Sequence, residues 1–599
     1  MKKTNSFLII STAVLLATGV LSFKTVKFQT VKAAAEDFSV TTDLTSEKQI
    51  HTERQADYLA YDGNYDKIPE DDYPDGQQHL SDPEPVNLAW DYTVPSGKTL
   101  SRYDVIVGKN ADLSDGYAIK GTTATNLNVY NSYLGDNYFQ VVANFSDGTK
   151  DSSEIKKYKV ENIYPRNLKI EGMTNCRDMG GGRELVDGGY IKQGLLYRTS
   201  STSQWAYGRG AVPDTITDAG KEELLVRLGC KTEINVNNSG SSVNGIKNYV
   251  QAYMYYDYGK HHLYRNAEPL KEVFHALADR DNYPIFYHCR IGTDRTGLCA
   301  IMISGLLGVP ENLIYQDYLF SNFGNIQEKR YIGEKAGRDN IMNYINDLKA
   351  FPGEKFQNKV YNYLLSIGIP ASELNSVIDI LVEGNKPTGN DNCQELILAS
   401  DMEGVECETK TTPATSNAHP DVYYTLGEEQ GVYMEFDAKY TDEAYLVAYL
   451  GSTDTTATKT IADSIEVRFD GDEVEVDEDL TFASVGFGQG DGRTYYSAMV
   501  LGKVDVYKGS TSIEITGKAN NLNIGAVSII PVNEIVIDED IPEGTLPDEP
   551  ETPNQPSSSQ PSKATNKGCG GSIVAAASLA SMFAFGAVVL LSAKRRKED

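Results

Sequence analysis

Tryptophan, cysteine and basic charge are the scarce things in this chain. Two Trp stand among 599 residues, so aromatic packing must come from 38 Tyr and 18 Phe. Tyrosine in such excess suits β-rich surfaces that are apolar on one side and wet on the other. The seven Cys (Cys176, Cys230, Cys289, Cys299, Cys393, Cys407 and Cys569) are too sparse for a disulfide-built scaffold. With no CxxC pair there is no zinc site of ordinary spacing either, and any cysteine chemistry falls to one of them individually. Lys plus Arg number 55 against 84 Asp plus Glu, a net charge of −29. Such a chain repels polyphosphate backbones, which counts against nucleic acid as a partner. An apolar share of 40% rules out wholesale disorder, and the length is several times what one core reaches, so several domains are expected. No internal repeat is visible.

What is present begins with targeting segments. Met1-Lys2-Lys3 followed by the apolar run Phe7 to Leu21 reads as an export signal over 1–35, with Ala33-Ala34-Ala35 as its cleavage site. Lys24, Lys27 and Lys32 leave cleavage nearer Ser22, or an uncleaved anchor, as alternatives. Ser572 to Ala593 is uncharged over 22 residues, long enough at about 1.5 Å per residue to cross a bilayer core of about 30 Å. The basic tail 594–599 follows at once and is expected inside, everything before the span outside. The order of Gly568-Cys569-Gly570-Gly571-Ser572, apolar span and basic tail resembles the sorting signals of Gram-positive surface proteins. Leu546-Pro547-Asp548-Glu549-Pro550 lacks the Thr-Gly of the usual sortase site. The expected location is a bacterial cell surface, membrane- or wall-anchored, with extracellular globular domains.

Between these ends the composition shifts repeatedly. Residues 36–82 are polar and acidic, with Tyr58, Tyr61, Tyr65 and Tyr73 at no fixed period, which predicts an irregular linker. Residues 83–162 alternate in short runs such as Tyr103-Asp104-Val105-Ile106-Val107, separated by turn signals, which predicts a small β-sandwich. Trp90 and Leu134-Gly135-Asp136-Asn137-Tyr138 resemble a fibronectin type III domain. That implies a core tryptophan and a Tyr138 hydroxyl turned against upstream backbone. Residues 392–535 are again all β and predict a two-sheet jelly roll. Its closing run, Asn520 to Ile529, resembles galactose-binding-like and carbohydrate-binding modules, which implies an extracellular glycan as a second partner. Cys393 and Cys407 are a candidate disulfide in an oxidising compartment. Residues 536–571, rich in Asp, Glu, Pro and Ser, read as an extended stalk.

Residues 163–385 carry the chemistry. Helical periodicity returns there among short buried runs, the pattern of an α/β fold. Its centre is Tyr283-Pro284-Ile285-Phe286-Tyr287-His288-Cys289-Arg290-Ile291-Gly292-Thr293-Asp294-Arg295-Thr296-Gly297, followed by the apolar Leu298 to Leu307: strand, tight loop, buried helix. Across such a turn the loop N–H groups and the helix N-terminus converge on one point, and Arg295 offers a planar fork to two phosphate oxygens. A tetrahedral dianion fits there. The same positive field favours the thiolate of Cys289 as nucleophile. Gly292 lets the loop turn, and Thr296 can hydrogen-bond the sulfur. A bare Cys-x5-Arg arises often by chance; His288, Gly292 and Asp294-Arg295-Thr296-Gly297 between an apolar strand and an apolar helix do not.

This segment resembles the protein tyrosine phosphatase superfamily, in the bacterial branch whose loop reads HC-x-x-G-x-DRTG. Asn175-Cys176-Arg177-Asp178-Met179-Gly180-Gly181 is similar to that branch's opening NFRDLGG, Gly194 to Ser200 to its GxLYRS, and Asp317 to Asn322 to its DYLLSN. The resemblance implies a phosphomonoesterase in which Cys289 attacks phosphorus and Arg295 holds the phosphate oxygens. Arg290, Ile291, Gly292, Thr293, Thr296 and Gly297 complete the substrate-binding loop, and water then cleaves the phosphocysteine. Two carboxylates compete for the general acid. Asp294 lies in the loop, where this branch and the myotubularin-like lipid phosphatases hold theirs. Asp257, in Tyr256-Asp257-Tyr258-Gly259-Lys260, precedes Cys289 by 32 residues (289 − 257), the kind of offset at which dual-specificity phosphatases carry a mobile-loop aspartate.

Thr293 stands where the branch often has Lys, and Ile234-Asn235-Val236-Asn237 where it has DLR, so substrate preference does not transfer. Phosphotyrosine in proteins, an inositol phosphate and a phosphoinositide head group all remain open. An idle phosphate- or glycan-binding adhesin is the alternative of another class. No cofactor is expected, and no metal, because the loop amides and Arg295 already supply the charge a metal would; His261-His262 is a neighbouring pair that points in different directions. Cys176 is either a disulfide partner for Cys289 or a small buried filler.

Overall fold

The computed structural model describes residues 38–203, 215–238, 240–254, 266–333, 335–336, 341–349, 351–387, 395–411, 422–438, 440–452, 459–481, 486–487, 497–518 and 522–532. The segments expected to be an export signal and a stalk, the apolar run 572–593 and the basic tail lie outside these residues, as do Asp257, His261, His262 and Cys393. Among the described residues no helix is long and apolar enough to cross a membrane.

Residues 86–160 form a β-sandwich. Val86–Tyr92 pairs with Phe38–Val40 and Asn126–Val129 in one sheet, while Leu100–Gly108 and Gly135–Phe145 are the inner strands of the other. Trp90 is buried between them and meets Tyr103 edge-on at 5.3 Å. The expected tyrosine corner is not formed. In Gly135–Phe145 the residues Asn137, Phe139 and Val141 face inward, so the period of two puts Tyr138 on the outer face, against Ile106 and Val142. Asn137 ties the corner instead, its Nδ2 donating to Tyr133 O at 2.7 Å and its Oδ1 accepting from Tyr133 N–H at 2.9 Å.

The catalytic sheet has six strands: β1 (Arg166–Asn167), β2 (Arg177–Asp178), β3 (Leu196–Thr199), β4 (Thr232–Asn235), β5 (Asn248–Gln251) and β6 (Ile285–His288). Their spatial order is β5-β4-β6-β3-β2-β1, with β3 to β6 parallel and β2 antiparallel to both its neighbours, β3 and β1. All of β6 is buried, as a strand with covered faces must be. Helices α1 (Glu53–Leu59), α2 (Ala267–Ala278), α3 (Asp294–Leu306), α4 (Glu311–Phe320), α5 (Ile341–Lys349), α6 (Phe356–Ser366) and α7 (Ala371–Leu381) pack around it. From Thr296 onward α3 is apolar all round and correspondingly buried on every side.

Residues 36–82 are predicted by composition to be an irregular linker, but the described part, 38–82, is not one. The Thr52 hydroxyl and the Gln55 side chain close a capping box at the start of α1. Tyr58, Tyr65 and Tyr73 join the apolar cluster of the catalytic core, and Tyr58 meets Phe320 and Phe323 edge-on. Tyr58 Oη donates to Gln316 O at 2.7 Å, and Asn167 Nδ2 donates to Gln55 Oε1 at 3.2 Å. Rings that pack singly from a winding chain leave no period of two or 3.6, so the pattern is silent about them. Tyr58→Ala is therefore expected to destabilise the catalytic domain by about 3–5 kcal/mol, the usual range for a buried aromatic. Urea unfolding monitored by circular dichroism measures this; a loss below about 1 kcal/mol would return the segment to linker status.

The sandwich is fastened to the catalytic domain by a buried guanidinium. Arg166 Nη1 donates to Asp178 Oδ2 at 2.8 Å, while its Nε and Nη2 donate to Ser132 O and Asn131 O at 3.1 and 2.7 Å. The Tyr133 ring covers it at 3.8 Å. At the other end residues 395–532 form two facing sheets around one apolar core. Val447, Tyr449, Ala526 and Ile530, on one of these sheets, pack into the catalytic cluster, and Tyr449 Oη donates to Ser366 O. Cys407 Sγ donates to Gly431 O at 3.1 Å.

Candidate active site

The chain leaves β6 at His288, turns through residues 289–293 and enters α3 at Asp294. Gly292 makes this turn feasible. Its φ is +72°, and a Cβ there would lie 2.6 Å from Thr199 O and 2.8 Å from Thr199 C.

The loop's carbonyls are all spoken for. Arg290 O accepts from Ser201 N–H at 3.1 Å. Ile291 O and Gly292 O accept from Asn175 Nδ2 at 3.2 and 2.9 Å, and Gly292 O also accepts from Arg198 Nη2 at 2.9 Å. In a trans peptide the C=O of one residue and the N–H of the next point in opposite directions. Carbonyls held on one side therefore turn the N–H groups of Ile291, Gly292 and Thr293 to the other. Among the described residues no acceptor takes these three N–H groups. Buried donors left together in this way are costly unless an anion fills the space before them.

Cys289, at the start of the loop, is 2% exposed. Arg295, in the first turn of α3, donates from Nη1 to Asn237 Oδ1 at 2.6 Å, and its guanidinium lies 5.9 Å from the Tyr253 ring centre. Thr293 is buried and its Oγ1 accepts from Asn175 Nδ2 at 3.2 Å, so the side chain braces the loop while the N–H faces the cradle. Ile291 is buried, Arg290 exposed, and Gly297 lies within α3. Thr296 is buried too, and its Oγ1 has no hydrogen-bond partner among the described residues, so a bond to the Cys289 sulfur is not made in this state. His288 Nε2 is 2.9 Å from Glu233 Oε1, and its Nδ1 is 3.1 Å from Cys289 O.

Asp294 is held at both oxygens by Arg330, with Nε at 2.9 Å and Nη2 at 3.1 Å. Asn322 sets Arg330 in turn: its Oδ1 accepts from Arg330 N–H at 2.7 Å and its Nδ2 donates to Arg330 O at 3.1 Å. In this state Asp294 acts as an acceptor, and donating a proton to a leaving oxygen requires the pair to part. Cys176 packs with Leu168, Met173 and Tyr197 in a separate apolar cluster, donates to Thr174 O at 3.2 Å and is a free thiol. Burial pushes that thiol well above its ordinary pKa, which suits a filler.

Five functional residues received no role from sequence reasoning: Asn175, Arg198, Asp317, Asn237 and Arg330. The first three stand in the quoted motifs, which was signal enough to suspect them. Asp317 joins them, accepting from Arg177 Nε at 2.8 Å, from Tyr164 Oη at 2.6 Å and from Arg198 Nη1. Burial alone would raise its carboxyl pKa. The guanidinium groups of Arg177, Arg198 and Arg183 outweigh that and hold it well below the usual carboxylate range. Asn237 stands in the segment quoted only for its departure from DLR, and Arg330 carried no motif signal.

A buried cysteine beneath an amide cradle at a helix N-terminus, with an arginine in the first turn, defines a cysteine-dependent phosphatase domain. Residues 168–366 match the model of the tyrosine phosphatase family. The core catalytic domain of a PP-IP phosphatase from S. cerevisiae is similar at 19% identity, over 25% of this chain and 78% of that one, with a TM-score of 0.17. A GH26-CBM35 β-(1,4)-mannanase from Podospora anserina is similar at 12% identity over 23% of this chain, with a TM-score of 0.17; the match spans 27% of the mannanase. A family 35 carbohydrate-binding module from Clostridium thermocellum is similar at 10% identity, over 23% and 97% of the two chains, with a TM-score of 0.16. No curated protein matches the chain.

Proposed function

We propose that the chain is a phosphomonoesterase of the protein tyrosine phosphatase type, acting through a phosphocysteine at Cys289. The observation that carries this reading is the set of N–H groups of Ile291, Gly292 and Thr293 turned together beside Cys289 and Arg295. The thiolate attacks phosphorus, the ester P–O bond breaks, and the leaving oxygen takes a proton from the Asp294 carboxyl. Water then attacks the phosphocysteine and gives a proton back to that carboxylate, the S–P bond breaks and the thiolate returns. Arg295 and the loop amides hold the equatorial oxygens throughout. Cys289 is 2% exposed, so the phosphate must be carried inward to reach the sulfur, and the substrate we favour is an aryl ester. Display at a bacterial surface rests on Ser572 to Ala593 and the basic residues after it. A glycan contact rests on the closing run Asn520 to Ile529, which resembles carbohydrate-binding modules.

Turnover of an aryl phosphate by the purified protein in excess chelator tests the reading. Activity that vanished with chelator and returned with Zn or Mg would refute it. In the same assay Asp294→Asn should cost about 10²–10⁴-fold on an alkyl phosphate and much less on an aryl one, as loss of a general acid does. Equal losses on both would reduce Asp294 to a brace for Arg330 and pass the acid role to Asp257.

A further inference from the structure

We infer that Asn175 is a positioning residue for phosphate binding: its side-chain amide aims the loop N–H groups at the anion. This rests on the phosphatase reading, since it names what makes that loop's cradle. The direction of every bond in the chain of contacts is fixed by chemistry. Arg177 can only donate, and its Nη1 lies 2.5 Å from Asn175 Oδ1. That end of the amide is therefore the oxygen, and the other end is the NH2, which faces Ile291 O, Gly292 O and Thr293 Oγ1. Arg177 is in turn fixed by Asp317 through Nε at 2.8 Å and by Asp317 O through Nη2 at 2.7 Å. Arg198 repeats the arrangement, bonded to Asp317 through Nη1 and to Gly292 O through Nη2.

Asn175 holds a φ of +55° to do this, a conformation Asn tolerates better than most residues and one that marks a position under functional constraint. Its N–H donates to Ser81 Oγ at 3.2 Å, so its backbone is anchored independently of the side chain. Three stretches distant in sequence, around Asn175, Arg198 and Asp317, thus form one device that orients two peptide groups.

The test is Asn175→Asp, which keeps the shape, the positive φ and the acceptor for Arg177 but turns the loop-facing donor into an acceptor. The charged groups around that carboxyl are Arg177 and Arg198, with Asp317 behind them and His79 at 2.7 Å from the adjacent Thr174 Oγ1. At neutral pH the dissociation constant for orthovanadate, read by calorimetry, should rise on the order of 100-fold, comparable to losing one oxyanion donor. The ratio to wild type should shrink as pH falls, because a protonated carboxyl offers a donor again. Asn175→Gly, which removes the donor without repulsion, should show a smaller rise and no pH trend. An Asn175→Asp protein with a wild-type unfolding midpoint and vanadate affinity within threefold of wild type would overturn the assignment. So would an equal loss in the Asp and Gly variants with no pH trend. Wild-type protein that binds vanadate without hydrolysing aryl phosphate would refute the proposed reaction and leave this comparison readable.

Discussion

Replacing Cys289 with Ser should lower aryl phosphate turnover by at least ~10⁴-fold, the scale seen when a nucleophile is removed from an intact site, while the fold persists. The hydroxyl is a far weaker nucleophile than a thiolate, and no other group on the loop can form the covalent intermediate. Folding should be spared because no hydrogen bond among the described residues uses Cys289 Sγ, and Ser is the smaller side chain. The cradle depends on Asn175, Arg198 and Ser201 and not on the sulfur, so inorganic phosphate should still bind to the variant. Steady-state kinetics, phosphate calorimetry and a urea curve on the same preparation separate these outcomes. Retained turnover in the Ser variant would sink the phosphocysteine route. A wild-type protein with no turnover on any phosphoester would leave an idle phosphate- or glycan-binding surface protein as the better reading.

Asp317→Asn should cost about 3–5 kcal/mol of stability, because breaking one side of a buried ion pair leaves charge without compensation. Asp317 is 4% exposed and holds Arg177 and Arg198, which are still more deeply buried. The amide keeps the volume but not the charge, so the two guanidinium groups would face each other across a neutral side chain. Urea unfolding at neutral pH reads the loss, and a change under about 1 kcal/mol would show that the arginines find other partners. The pH dependence follows from the direction of the shift. Because the native carboxyl is held below the ordinary range, its contribution is complete above the pKa of a free aspartate, about 3.9. It fades as pH drops below that toward the native value. The gap between wild type and Asp317→Asn should therefore be flat from neutrality to about pH 5 and close in stronger acid.

The strand, loop and helix around Cys289 were legible because their signal is local: an apolar run, a glycine with no room for a Cβ, and a second apolar run. The sandwich at 86–160 was legible for the same reason, through alternation. The acidic segment 36–82 was not, since Tyr58, Tyr65 and Tyr73 find their partners in α4 and beyond it, where no window of neighbours can reveal them. Tyr138 was assigned to a corner that a one-position difference in register gives to Asn137. Asn237 and Arg330 were invisible as site residues because each acts through a pair, Asn237 with Arg295 and Arg330 with Asp294. Pairs separated by 36 or 58 positions leave no trace in spacing.

Arg166 bears on inheritance as much as on architecture. Its three hydrogen-bonding arms reach Asp178 on one side and the Asn131 and Ser132 carbonyls on the other. A lineage that shuffled the catalytic domain onto a different neighbour would keep the Asp178 pair but lose both carbonyl acceptors and the Tyr133 cover. A stretch excised for use elsewhere therefore keeps its interior contacts only when the sandwich, the catalytic domain and the tyrosine-bearing segment before Val86 are taken together, along with the C-terminal sheets whose Tyr449 reaches Ser366.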